Sequence, residues 1–237
     1  MSIAERYFKK TQEILGRIVE TQMPLLNRAA TLIADTIQRD GIIYALASGH
    51  SSTVAAELHF RAGGLANFDV IHDKTFGRAE RLPGYAKALL EGYPISSNDL
   101  LIIISNSGRN ALPVEMALEA KKRSITTIGI TSLAYSQAVS SRSAGGLRLF
   151  EICDVVIDNC GVLGDAALGI GPDESLRMCP TSTLSGVFIA NCVAAMAAEE
   201  LLNRKAPVPV FVSANLDGGD EHNQKLLDFM RKRVRGL

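Results

Sequence analysis

Three near-continuous apolar runs, each closed by a hydroxyl residue, constrain this chain more than any other feature. Residues 42–47 (IIYALA) end at Ser48-Gly49, residues 100–104 (LLIII) at Ser105, and residues 125–130 (ITTIGI) at Thr131. Short runs without polar alternation fit strands buried on both faces, as in a parallel sheet whose crossovers are helices. A fourth run, 155–157, precedes Asp158 and Asn159, and 68–71 could supply another strand. Between them, 52–62, 113–123 and, more weakly, 134–143 have helical character. Strand and helix in alternation predict an α/β doubly wound sheet flanked by helices.

Two helices, 3–21 and about 23–39, are expected ahead of the first strand, with Tyr7, Ile14 and Ile18, then Leu25, Ala29, Ile33 and Ile37, at helical spacing. Residues 78–95 contain Pro83, Gly84 and Pro94 and read as a connection with one short helix. Residues 161–180, rich in Gly and Pro, read as a long loop of the kind that is functional or mobile. A long apolar helix follows over 181–203, capped by Thr181 or Ser182 and stopped before Pro207 and Pro209, then a last helix over about 220–235. The 237 residues form one expected domain: N-terminal helices in 1–40, the sheet core in 41–203, and a C-terminal loop and helix in 204–237.

Lys plus Arg (25) equals Asp plus Glu (25), so no global basic field exists to hold nucleic acid. An anion must be held locally. The N-terminus lacks the features of a signal peptide, and no apolar stretch reaches about 18 residues. A cytoplasmic protein with no membrane partner is expected. Cys153, Cys160, Cys179 and Cys192 include no C-x-x-C pair and no histidine at zinc-ligand spacing, so they read as small buried hydrophobes, with no metal and no cofactor.

Ligands of open α/β sheets bind beyond the carboxyl ends of the strands. Two serine-rich loops sit there. Ser48, Gly49, His50, Ser51 and Ser52 run from the first strand into a helix, and Ser105, Asn106, Ser107, Gly108, Arg109 and Asn110 repeat the arrangement after a later strand. Free backbone N–H groups and hydroxyls at a helix start favour an anion, and glycine admits close approach or a left-handed turn. Either loop alone is explained as readily by helix capping; two in register favour phosphate. Asp69, twenty residues after Gly49, mimics the acid of a dinucleotide fold, but Ser51 and Val54 stand where its further glycines belong. No G-x-x-x-x-G-K-[ST] is present either.

ASGHSS, then LIIISNSGRN, then CPTSTLSG opening a helix, resembles the sugar isomerase (SIS) domain family, nearest to its phosphoheptose-isomerase-like members. The likeness spans about 41–203. It implies a five-stranded parallel sheet, a homodimer or homotetramer with sites near subunit interfaces, phosphate on Ser105, Ser107 and Asn110, and first-loop contacts from Ser48 and Ser51. Many members carry Thr or Ser at the position of Asn110. Arg109 is not a fixed feature; it offers phosphate a charge-assisted bond or points into solvent.

Aldose–ketose interconversion needs a base to carry a proton between adjacent carbons and an acid at oxygen. Glu57 is the candidate base, against a simple i,i+4 pairing with Arg61. The resemblance implies catalytic or metal-binding groups on that helix, yet H-F-x-x-E is absent. His50 lies within the first loop, and His222, in GGDEHNQ, resembles by position the late histidine of several SIS isomerases; a solvated helix start explains it equally. His59 and His72 lack context, and Asp158, Asn159 or Asp165 could reach sugar hydroxyls. The functions to weigh are a sugar-phosphate isomerase, a lyase or etherase acting on an amino-sugar phosphate, and a non-catalytic sugar-phosphate sensor.

Overall fold

A capping box starts the chain: Ser2 Oγ accepts from the Glu5 amide while the Glu5 carboxylate accepts from the Ser2 amide. The computed structural model describes residues 1–231 and 234. From this cap runs one helix, α1 (Ile3–Gln38), where two were expected. Pro24 lies inside it and removes an intrahelical hydrogen bond, a loss that would ordinarily end a helix. The apolar stripe of Ile14, Ile18, Leu26, Ala29, Ile33 and Ile37 continues in phase across the proline, and all six are buried. Their burial outweighs the local cost.

The expected alternation follows: β1 (Ile43–Ala47), α2 (Ser52–Glu57), β2 (Phe68–His72), α3 (Tyr85–Glu91), β3 (Leu100–Ile104), α4 (Ala111–Lys122), β4 (Thr126–Thr131), α5 (Leu133–Gln137) and β5 (Val155–Asp158). The five strands pair in parallel in the order β2-β1-β3-β4-β5. Strand periodicity divides the core in two. Ile43, Ala45, Leu100, Ile102 and Ile128 face a layer made by α1, α2 and a later helix, α6 (Ser182–Asn203). Tyr44, Leu46, Leu101 and Ile103 face α3, α4 and Met230 at the end of α7 (Gly219–Met230). Helices on both faces explain why the strands carry no polar alternation.

Residues 161–180 are not the structureless loop that was expected. They contain an antiparallel hairpin, β6 (Ala166–Ile170) and β7 (Leu176–Pro180), separate from the main sheet. Tyr7 Oη donates to the Pro180 carbonyl at 2.5 Å, and Arg6 reaches the Gly169 carbonyl and Glu174, so the hairpin rests on the first turns of α1. Just before it, Asp165 accepts from the Thr181 and Ser182 amides at 3.0 and 2.8 Å and from Ser182 Oγ at 2.8 Å. A remote carboxylate therefore caps α6; neither Thr181 nor Ser182 does so.

Against the expectation that no apolar stretch is long enough, α6 has the length and composition to cross a membrane. Its buried residues, among them Ile189, Ala190, Val193 and Ala197, belong to the same core layer as α1. Of the four cysteines only Cys160 is fully buried; the others are half-buried, and all are free thiols. Burial pushes the Cys153 thiol up to about 12.

Candidate functional site

Strand order reverses direction between β1 and β3, so the loops leaving these neighbours open a crevice at their carboxyl ends. Both serine loops lie there. After β1, Gly49 takes a left-handed φ of 58° and starts a 3-10 turn, Gly49–Ser51, that leads into α2. Ser48 Oγ donates to Asp73 Oδ2 at 2.8 Å, and Ser52 Oγ to the Gly49 carbonyl at 2.7 Å. His50 is exposed.

After β3, the Gly108 amide donates to Ser105 Oγ at 3.2 Å. Gly108 has a φ of 58°, and a Cβ there would lie 2.8 Å from Ser136 Oγ and 3.0 Å from Thr131 Oγ1. Both the backbone angle and the space demand glycine. The Asn106 carbonyl accepts from the Ser132 amide, and Asn106 Oδ1 accepts from Asn159 Nδ2 at 2.9 Å, which ties this loop to the ends of β4 and β5. Arg109 donates to Ser140 Oγ at 3.2 Å, while its Nε is buried with no partner among the described residues.

Ser48, Ser51, Ser105, Asn106, Ser107 and Asn110 together line one cavity of about 210 Å³. Gly49, His50, Ser52, Gly108 and Arg109 shape or flank the loops without lining it. Capping does not account for these side chains: those of Ser48, Ser51 and Asn110 make no cap hydrogen bond to the helix or 3-10 turn they precede. Asn110 turns instead to Glu80, donating from Nδ2 to Oε1 at 2.9 Å, and its Oδ1 accepts from Arg142 at 3.3 Å. Among the described residues the hydroxyls of Ser51 and Ser107 have no hydrogen-bond partner.

Glu80, Tyr135 and Asp73 were not singled out from sequence. Glu80 and Tyr135 line the cavity. Asp73, just past β2, is the anchor of the segment that carries Glu80. Its carboxylate accepts from Ser48 Oγ, from the amide and hydroxyl of Thr75 at 3.0 and 2.6 Å, from the Gly77 amide at 2.9 Å and from Tyr85 Oη at 2.9 Å. Partial burial pushes this carboxyl up, but the hydrogen bonds from Thr75, Ser48 and Gly77 outweigh it and hold it at about 2. Gly77, at a φ of 84°, lies so close that a Cβ would approach Gly49 Cα to 3.0 Å. The one sequence signal for this arrangement was D-x-T, an Asx-type turn motif at 73–75.

Neither proposed catalytic residue lines the cavity. Glu57 pairs with Arg61, the simple i,i+4 alternative, and accepts from Asn191 Nδ2 at 3.1 Å. His222 is exposed, with Nε2 2.9 Å from the Val210 carbonyl. His59 Nδ1 lies 3.1 Å from the Phe68 carbonyl. Asp158 accepts from the Leu133 and Cys160 amides, Asn159 holds the Asn106 loop, and Asp165 caps α6, so each is engaged in supporting structure. Among the described residues no group of three His, Cys, Asp or Glu is placed to hold a metal ion.

The family model of the SIS domain matches residues 6–132. A UPF0309 protein of Shouchella clausii is 37% identical over 99% of both chains, and one of Listeria monocytogenes is 38% identical over 96% of this chain and 97% of its own. Phosphoheptose isomerase GmhA from Neisseria gonorrhoeae superposes with a TM-score of 0.56 at 15% identity, covering 84% of this chain and 100% of its own. A phosphoheptose isomerase from Francisella tularensis gives 0.57 at 13% identity, over 84% of this chain and 100% of its own. The Vibrio vulnificus NanR protein complexed with ManNAc-6P has a TM-score of 0.56 at 14% identity over 97% of this chain and 70% of its own. These three likenesses extend to the fold, a five-stranded parallel sheet flanked by helices.

Proposed function

Since the chain belongs to the SIS-domain family, together with the UPF0309 proteins, we propose that it binds a sugar phosphate across its two serine loops and catalyses aldose–ketose isomerisation. The observation that carries this reading is the convergence of both loops on one cavity at the reversal of strand order, with their side chains turned away from capping. A phosphate dianion is held by several short donors at once. Ser51, Ser105 and Ser107 supply hydroxyls to the cavity, and the N-terminus of α4, a helix of 12 residues, contributes its dipole. The sugar then extends toward Glu80 and Tyr135.

Thermal-shift titration with arabinose 5-phosphate, ManNAc-6P and glucose 6-phosphate tests the binding, since a ligand of the native state raises its apparent stability. Replacing Ser105 and Ser107 together by Ala should weaken the best ligand roughly 100-fold, two charge-assisted hydrogen bonds at about 1.5 kcal/mol each. An unchanged shift would remove the phosphate from these loops.

A sensor is the second reading. It is favoured by the fold likeness to NanR, which spans nearly the whole of this chain. The two part at proton exchange on C2 of the bound sugar in deuterated water, followed by NMR. The isomerase exchanges this proton, whereas a sensor binds without exchange.

A further inference from the structure

An isomerase of this kind must set a base a fixed distance beyond its phosphate grip. Among the described residues the cavity has one carboxylate in its lining, and it is neither Glu57 nor a residue of α2. Resting on the sugar-phosphate reading above, we infer that Glu80 is the catalytic acid and base, and that Asn110 orients it.

Three separate attachments hold Glu80. Its side chain accepts from Asn110 Nδ2 through Oε1 at 2.9 Å, and its carbonyl accepts from the Leu112 amide at 2.9 Å, in the first turn of α4. The Glu80 amide itself donates to the Gly77 carbonyl at 3.2 Å, within the turn that Asp73 ties to Ser48. Glu80 is thus attached to both serine loops, by its carboxylate through Asn110 and by its backbone through the turn that Asp73 holds. Asn110 cannot turn its amide over freely, because Arg142 donates to Oδ1 at 3.3 Å and so leaves Nδ2 to Glu80. Oε2 of Glu80 has no partner among the described residues, and this is the oxygen available to a proton. Pre-organisation of this kind is what proton transfer rewards, since geometry is fixed before the substrate arrives. Glu57 is in the opposite situation: its carboxylate is engaged by Arg61 and Asn191 outside the cavity.

In the step assigned to it, Glu80 Oε2 takes the proton from C2 of the open-chain aldose phosphate. The C2–H electron pair becomes the C1–C2 double bond, and the carbonyl pair moves to O1, which takes up a proton. The enediol then loses its O2 proton as C2=O forms, and Glu80 returns its own proton to C1. One hydrogen has moved from C2 to C1 and one from O2 to O1, with no oxidant or reductant. Tyr135, the other ionisable side chain among the described residues of the lining, is available to the oxygens.

Glu80→Gln separates binding from chemistry, because Gln keeps an acceptor for Asn110 and takes no proton. With arabinose 5-phosphate, ManNAc-6P and glucose 6-phosphate as probes, the variant should keep the wild-type thermal shift and a ligand affinity within about threefold. Its C2 exchange rate should fall at least 100-fold, the usual scale of general-base loss. Glu80→Asp, which keeps the carboxylate but shortens its reach, should retain part of the exchange, and Glu57→Gln nearly all of it. Exchange in Glu80→Gln within about tenfold of wild type overturns the assignment while leaving sugar-phosphate binding in place. Loss of exchange in Glu57→Gln with retention in Glu80→Gln returns the role to α2. A wild-type protein that binds arabinose 5-phosphate or glucose 6-phosphate, the probes with a 2-hydroxyl, without exchanging the C2 proton also overturns it, in favour of the sensor. Failure of all three probes to shift the wild type would instead remove the sugar-phosphate reading, and this assignment with it.

Discussion

At the residue scale the site depends on side chains whose neighbours are distant in sequence. Asp73 joins Ser48, Thr75, Gly77 and Tyr85 in one carboxylate-centred cluster, and the loop that presents Glu80 hangs from it. Its folded-state pKa, about 2, lies below that of an unfolded aspartate, about 3.9. The stabilisation is therefore complete above about pH 4 and is lost as pH falls toward 2. Partial solvent exposure screens the effect, so Asp73→Asn should cost about 1–2 kcal/mol at pH 7 and narrow its deficit against wild type below pH 4, measured by urea denaturation across pH. The same variant loosens Ser48, so probe affinity should fall with it. Gly108 belongs to this scale as well, because its backbone angle and the nearness of Ser136 and Thr131 leave no room for a side chain.

Among elements, the hairpin of β6 and β7 and the helix α6 are coupled through one residue. A helix of 22 residues begins with unsatisfied amides, and here Asp165 accepts from those of Thr181 and Ser182 from across a reverse-paired ribbon. Asp165→Ala should destabilise the protein by about 1–2 kcal/mol, the cost of losing a cap, with ligand affinity unchanged. A loss of ligand affinity at unchanged stability would assign Asp165 to the site instead. In α1, a proline sits mid-helix without ending it, because the stripe on either side packs into the same layer. Local propensity alone breaks the chain there; burial does not.

For the whole molecule, the two faces of the sheet are covered by different parts of the chain. The first layer joins α1 at the beginning to α6 near the end, so the N-terminal helix is a wall of the core. Ile33 is fully buried in that wall. Ile33→Ala should cost about 2–5 kcal/mol in chemical denaturation, at the level of a core cavity, and leave the serine loops at the carboxyl ends of β1 and β3 chemically intact.

What could be read from sequence was whatever repeats locally. Apolar runs marked four strands and left 68–71 open as another, helical spacing marked the crossovers after β1, β3 and β4, and serine with glycine after β1 and β3 marked the loops that share a cavity. These signals lie within a few residues of one another, and the periodicities of 2.0 and 3.6 express them directly. Tertiary structure decided the rest. It joined two expected helices into α1, paired residues 166–170 with 176–180, and brought Glu80 from a mixed, proline-containing connection to Asn110, thirty residues away. It also turned Glu57 toward Arg61 and His222 toward the Val210 carbonyl, both off the cavity lining. No local pattern encodes such contacts, because a side chain's partner is set by how whole elements pack, and a carboxylate reads the same in sequence whether it lines a cavity or meets a neighbouring arginine.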